Sequence, residues 1–326
     1  MKPILIHTHF HKRRTGVTRS IENVFSYFAT TYESYVYGNT VNAPKIGVLK
    51  LASLLFSKRK VVVHCHRNNE ILRLLFFRIL GAKFKLLATR HAESPPSKFT
   101  LFLLRKADTV ITLVQSMSEN LGFENTVVGH GVLVDAFVPK PERSLHTISQ
   151  QNLIICVGRV REAKGQKVLL EAAKVLKNYP QWALVIVGKV DKPDFLEELK
   201  RIAKNHAIQN QVYFRKETPE IITYYQAAKI VIAPSFSEGF SLVTAEGMSC
   251  GCTVVATENV GVHSSLISHS KNGYLFEAGN SKELEQLLAQ LLEEKIPLVG
   301  IQAREEIVKN WSAQKEAAQL MQLYQK

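Results

Sequence analysis

The chain has 326 residues, which suits two domains of about 150 residues each better than a single core. Hydrophobic residues make up 46% and charged residues 21%, which excludes a disordered, a collagen-like or a disulfide-dense chain. A total of 42 Lys and Arg against 28 Asp and Glu leaves a formal charge of +14, so an acidic partner is expected: nucleic acid, an anionic membrane or a phosphorylated substrate.

Short β-branched runs alternate with longer amphipathic ones. In the first half, strands are predicted at Ile4–His7, Val61–His64, Lys85–Thr89, Thr109–Leu113 and Thr126–Val128, and helices at Thr18–Thr31, Ile71–Leu80 and Pro96–Ala107. A polar, Pro-bearing stretch, Pro139-Lys140-Pro141-Glu142-Arg143-Ser144, then reads as a linker. In the second half the predicted strands are Leu153–Val157, Ala183–Val187, Val212–Phe214, Ile230–Ala233 and Thr253–Ala256. The helices there are Lys167–Asn178, Asp194–Asn205, Pro219–Ala228 and Ser281–Glu293, with a last one around Ser312–Tyr324. Near-continuous apolar strands alternating with helices specify parallel sheets covered on both faces. The expected architecture is two Rossmann-like, doubly wound α/β domains facing a central cleft: an N-terminal domain (1–140), a linker (141–151), a C-terminal domain (152–311) and a terminal helix (312–326) packing back on the first domain.

The apolar run at the N-terminus is too short for a signal-peptide core, and no window approaches the roughly 20 apolar residues that span a bilayer. A soluble, cytoplasmic chain is expected. Cys65, Cys156, Cys250 and Cys252 show no framework spacing, and Cys250-Gly251-Cys252 is too tight for a zinc knuckle, so reduced structural thiols are expected.

Two stretches of the second half carry chemistry. Gly158-Arg159 with Lys164-Gly165 follows a strand and precedes a helix, where backbone can approach a ligand and two cations can meet phosphates. A solvated basic loop is the alternative. Glu238-Gly239-Phe240-Ser241-Leu242 leads into a second helix containing Glu246, and amides at its start favour an anionic group. Carboxylates beside such a site suit hydroxyls of a sugar and a ribose; as alternatives, Glu238 caps the helix and Glu246 is a solvated position. Gly251 to Ala256, followed by Gly261, reads by itself as core sheet.

Together with Asn272-Gly273-Tyr274-Leu275-Phe276, these elements resemble glycosyltransferase family 4 of the GT-B fold, which has Gly-Arg…Lys-Gly and Glu-x₇-Glu elements in the same order. The resemblance implies a retaining transferase that takes a nucleotide-sugar donor and needs no metal or other cofactor. Arg159 and Lys164 would hold the donor diphosphate, Glu238 the transferred sugar and Glu246 the ribose hydroxyls, with Gly158 and Gly239 to Leu242 lining the donor.

In the first half, Lys12-Arg13-Arg14-Thr15-Gly16 lies in the first strand-to-helix loop, which opens onto the ligand crevice of a doubly wound sheet. With His66-Arg67-Asn68-Asn69-Glu70 and Gly129-His130-Gly131-Val132, it resembles a narrower group, the mannosyltransferases of the bacterial lipopolysaccharide core. That implies GDP-mannose as donor and a lipid-linked saccharide as acceptor, with Lys12, Arg13, Arg14, Gly16 and Arg67 binding acceptor or phosphate. His91 ends a strand where the family places a histidine against the donor sugar; a structural histidine is the alternative.

Two rivals come from other classes. His7-Thr8-His9 and His64-Cys65-His66 suggest a metal-dependent hydrolase built on the His7/His9 pair. The basic composition suggests nucleic-acid binding, but no aromatic-interleaved basic motif supports it, so no nucleic-acid partner is expected. The charge itself is lopsided: residues 1–140 hold 20 Lys/Arg and 8 Asp/Glu, residues 141–326 hold 22 and 20. It therefore reads as an address for an anionic membrane on the acceptor side, placing the enzyme peripherally on the cytoplasmic face of the inner membrane.

Overall fold

Twelve strands pair into two all-parallel sheets in the computed structural model, which describes residues 1–141, 144–145 and 147–326. The chain divides into two units, Met1–Leu133 with Trp311–Lys326, and Val134–Asn310. Part of the expected linker (residues 142, 143 and 146) lies outside the described residues.

The first unit holds β1 (Ile4–His9), β2 (Glu33–Gly38), β3 (Val61–Cys65), β4 (Lys85–Arg90), β5 (Thr109–Thr112) and β6 (Thr126–Val127), in the order β2-β1-β3-β4-β5-β6. The chain leaves β1 toward one edge and returns to build toward the other. The crevice at this reversal, beyond the carboxyl ends of β1 and β3, is where such sheets bind ligands. β1 and β3 run in register, Ile4 beside Val61 and His7 beside His64. Their apolar side chains are almost wholly buried between two helix layers. The helix Ala313–Gln325, capped by the Ser312 hydroxyl, lays Ala313, Ala317, Leu320 and Tyr324 against Leu5, Val62 and Leu87. That spacing puts one apolar stripe on the sheet.

The second unit holds β7 (Asn152–Val157), β8 (Trp182–Val187), β9 (Val212–Arg215), β10 (Ile230–Ala233), β11 (Thr253–Thr257) and β12 (Tyr274–Phe276), in the order β12-β11-β10-β7-β8-β9. Here the order reverses between β7 and β10, so the loops that follow these two strands flank the ligand-binding end of the sheet.

The structure adds two strands and trims several helices. β2 is an edge strand in which only Val36 is fully buried, and β12 has three residues, so neither shows a long apolar run. The predicted helix Thr18–Thr31 is α-helical over Gly16–Phe25 and tightens to 3₁₀ over Ser26–Thr30. Pro96–Ala107 shortens to Lys98–Leu104, because the Ser97 hydroxyl accepts from Thr100 N and sets the start there. Helices at Val48–Leu55, Gln115–Glu119 and Gly300–Asn310 were not anticipated. Among the described residues no helix is long and apolar enough to cross a membrane. All four cysteines are buried and unbridged.

Candidate active site

In the second unit the reversal brings the two chemistry-bearing loops together. After β7 the chain passes Gly158 and Arg159 and makes a 3₁₀ turn at Glu162–Lys164. Gly165 then takes a left-handed conformation, φ +68°, so close to the next loop that an added Cβ would stand 1.8 Å from the Pro234 carbonyl oxygen. Phe236 N donates to Ala163 O at 3.0 Å, and the Thr257 hydroxyl donates to Ser235 O at 2.7 Å. Gly261 backs the same loop, leaving no room for a Cβ beside that of Glu238.

This clamp pairs Lys164 Nζ with Glu238 Oε1, an oxygen that also accepts from the Ser235 hydroxyl at 2.7 Å. Both side chains are mostly buried, 17% and 12% exposed, so the ion pair is weakly screened and bears a desolvation cost. A cation in that state gains by meeting a second anion. Arg159 is placed differently: its guanidinium is half-exposed, 3.4 Å from Asp191, while its carbonyl accepts from Gln166. The structure thus joins Lys164 to Glu238 and sets Arg159 beside Asp191.

The helix Leu242–Ser249 starts at Ser241, a non-glycine residue at φ +70° and ψ +65°, with its hydroxyl 3.0 Å from that of Thr244. Such backbone costs on the order of 1–3 kcal/mol and concentrates at ligand sites. Ser241, not Glu238, occupies the cap position. Glu246 lies inside the helix and is 1% exposed, so it is no solvated surface position.

In the first unit, histidines from the ends of three strands and one loop form a continuous hydrogen-bonded row. His7 Nδ1 lies 3.3 Å from His66 Nε2, His66 Nδ1 3.0 Å from His91 Nε2, and His91 Nδ1 3.3 Å from His130 Nε2. His130 Nδ1 ends the row 2.9 Å from Glu316 Oε1, while Glu316 Oε2 accepts from Gly131 N at 2.6 Å. A carboxylate can only accept from His130, and that assignment propagates: every Nδ1 donates, every Nε2 accepts, and His7 Nε2 is left without a partner, as observed. His64 stands beside the row, its ring nitrogens 2.8 Å from the Tyr324 hydroxyl and 2.7 Å from that of Thr89. Glu70, fully buried, fastens the strand ends by accepting from the Thr8 hydroxyl, Phe10 N and His66 N.

The ligand atoms of His7, His64 and His66 lie within 4.8 Å of one another, so a cation has candidate ligands here. Binding would require His64 and His66 each to give up a hydrogen bond. His9, the partner that the hydrolase alternative assigns to His7, is directed elsewhere: Nε2 to Thr18 and Nδ1 to Asn39 O.

Lys12 and Arg13 are exposed; Arg14 pairs with Glu22, and Gly16 has open space around its Cα. Arg67 precedes the helix Asn68–Ile79, its Nε buried without a hydrogen-bond partner. Burial, and after it neighbouring charges that include Arg67, lowers the pKa values of His9 and His91.

The glycosyl transferases group 1 family matches residues 140–314. The chain belongs to this family. It is 28% identical, over 82% of its length and 78% of the relative's, to lipopolysaccharide core biosynthesis mannosyltransferase LpcC of Rhizobium leguminosarum bv. viciae. The C-terminal domain of a group 1 glycosyl transferase, LpcC of Francisella tularensis, is 30% identical and covers 56% of this chain and 99% of that one, with a TM-score of 0.52. The crystal structure of Anabaena HepE in complex with UDP covers 99% of both chains at 19% identity with a TM-score of 0.86, which shows the GT-B fold.

For this glycosyltransferase, the buried imidazoles predict acid lability. Burial lowers the pKa of His7 to about 3 and those of His64, His66 and His91 well below the usual histidine value. Below the ordinary value of about 6.5 the unfolded chain binds protons that the fold refuses, so stability is complete above that pH and falls as pH drops. The slope is on the order of 1 kcal/mol per pH unit for each imidazole titrating. Melting curves should be level above pH 7 and fall steeply between pH 6.5 and 5. A melting temperature unchanged down to pH 5 would show that these rings are not held neutral.

Proposed function

We propose that this glycosyltransferase is a retaining, metal-independent member of family 4 that moves mannose from GDP-mannose onto a lipid-linked saccharide of the lipopolysaccharide core, working peripherally at the cytoplasmic face of the inner membrane. The observation that carries the reading is the Lys164–Glu238 pair clamped at the sheet reversal of a chain related to LpcC. When the bond to the sugar breaks, negative charge grows on the departing nucleoside diphosphate. A fixed, mostly buried ammonium stabilises that charge without reorganising, which is the work a metal ion would otherwise do. Lys164 and Arg159 take the diphosphate, with the amides of Gly158 and of Gly239 to Leu242. Glu238 orients the transferred sugar while its charge is balanced by Lys164, and Glu246 takes the ribose hydroxyls.

Lys12, Arg13, Arg14, Gly16 and Arg67 serve an acidic acceptor in this reading. His91 contacts the donor sugar by exchanging its bond to His66 or His130, since both its ring nitrogens are engaged in the row.

Calorimetric titration of the intact protein with GDP-mannose, GDP-glucose, UDP-glucose and UDP-galactose, in EDTA, tests the donor. GDP-mannose should bind at least about tenfold tighter than the others, about 1.4 kcal/mol. Preference for a UDP-sugar would replace mannose with another hexose, and binding lost in EDTA would remove the metal-independent reading.

A further inference from the structure

The helices Val48–Leu55, Asn68–Ile79 and Lys98–Leu104 all cover the same face of the first sheet, packing Leu51, Leu55, Ile71, Leu74, Leu103 and Leu104 into one core. They are also apolar on the side away from it. On the middle helix Leu72, Phe76 and Ile79, followed by Leu80, recur at helical spacing and are 52–82% exposed. Its inward stripe is Ile71 and Leu74, so this helix carries two apolar faces and buries one. Leu49 and Phe56 stand exposed on the flanking helix and at its end, and Phe99 and Phe102 on the other. The three are neighbours: the Phe56 ring lies 6.5 Å from that of Phe77, and the middle helix packs on Lys98–Leu104. Exposed apolar groups this large and this contiguous mark an interaction surface.

The charge of the same segment indicates what it meets. From Lys45 to Lys106 the sequence has 14 Lys and Arg and two acids, Glu70 and Glu93, of which Glu70 is buried. Lys50, Lys83, Lys98 and Arg105 are exposed among the apolar side chains, and Lys106 lies over the Phe102 ring. The first unit as a whole holds 21 Lys and Arg against 8 acids, and the second 21 against 20. Phe, Ile and Leu ringed by cations match a bilayer surface that offers acyl chains beneath anionic headgroups. A second copy of this chain would bring the same positive charge.

We propose that this three-helix face is the membrane-docking surface, inserting Leu72, Phe76, Ile79 and Phe102 below the headgroups of an anionic bilayer. It deepens the reading above, in which the acceptor is lipid-linked, and changes its physics. The exposed loop cations Lys12 and Arg13 lie outside this surface, and docking becomes amphipathic rather than purely electrostatic.

Flotation of the full chain with vesicles of phosphatidylcholine alone, or with 30% phosphatidylglycerol on the order used for anionic leaflets, tests it. The wild-type chain should float with the anionic vesicles, and Phe76→Glu and Ile79→Glu should each lower its partition at least tenfold. Both side chains point out of the core, so melting temperature and GDP-mannose titration should be unchanged, which separates this result from any failure of the donor assignment. A wild-type chain that stays at the bottom, or variants that float equally well, would overturn the proposal. So would sedimentation showing a wild-type dimer that the two variants break, since the face would then join copies of the chain.

Discussion

Lys164→Ala should lower glycosyl transfer by about 10²–10³-fold, the usual loss when one fixed charge-stabilising group is removed. Two effects coincide. The departing diphosphate loses its cation, and Glu238, a mostly buried carboxylate, loses the ammonium beside it while keeping the Ser235 hydroxyl. Removing one partner of a mostly buried ion pair is costly, so Glu238 is driven out of position. Glu238→Ala should differ in kind. It frees Lys164 for phosphate, so GDP affinity is retained or improved while turnover collapses. Calorimetry with GDP and turnover measured side by side separate the two variants. Near-normal turnover in either would refute the assigned roles, and equal loss of GDP affinity in both would show only that the clamp had been disrupted.

The largest expected effect on stability is at Glu316. Its carboxylate is 5% exposed and each oxygen accepts one buried donor, His130 Nδ1–H and Gly131 N–H. Glu316→Ala leaves both donors unmade at about 1–3 kcal/mol apiece. A total on the order of 3 kcal/mol corresponds to a melting temperature lower by roughly 6–12 °C for a unit of this size. Glu316→Gln should fall in between: its carbonyl still accepts from Gly131, but its amide faces a donating His130. The row must then reverse, and His91 changes which nitrogen donates. A variant as stable as the parent would mean that the terminal helix is not fastened through this residue.

The parts of this protein that were legible in the sequence are those fixed by neighbours along the chain. The apolar runs Leu153–Val157 and Ala183–Val187 are strands because nearly every side chain in them is buried. Lys164 and Glu238 were readable because each lies in a loop that follows a strand, where a parallel sheet presents its loops, and Glu246 because it falls in the helix that continues the second loop. What escaped depends on distance. Glu316 and His130 are 186 residues apart, and nothing local in the last helix singles out one glutamate. His64-Cys65-His66 suggested metal ligands, and the fold does bring His64 and His66 within 4.8 Å of His7; what the sequence could not show is that the same rings hydrogen-bond into the row and to Tyr324 and Thr89. Ile71–Leu80 was predicted as a helix, but only the packed sheet divides its apolar side chains into an inward and an outward stripe. The uneven charge was visible at once, but its place on a particular helical face was not.

The most direct measurement is transfer itself. The intact protein, incubated with radiolabelled GDP-mannose and a lipid-linked lipopolysaccharide core acceptor, is extracted and the label counted in the lipid fraction. Label should appear in the lipid with wild-type protein, with near-background counts for Lys164→Ala and Glu238→Ala. Wild-type protein that binds GDP-mannose yet leaves the acceptor unlabelled, or transfers equally well with either variant, would contradict the proposed function.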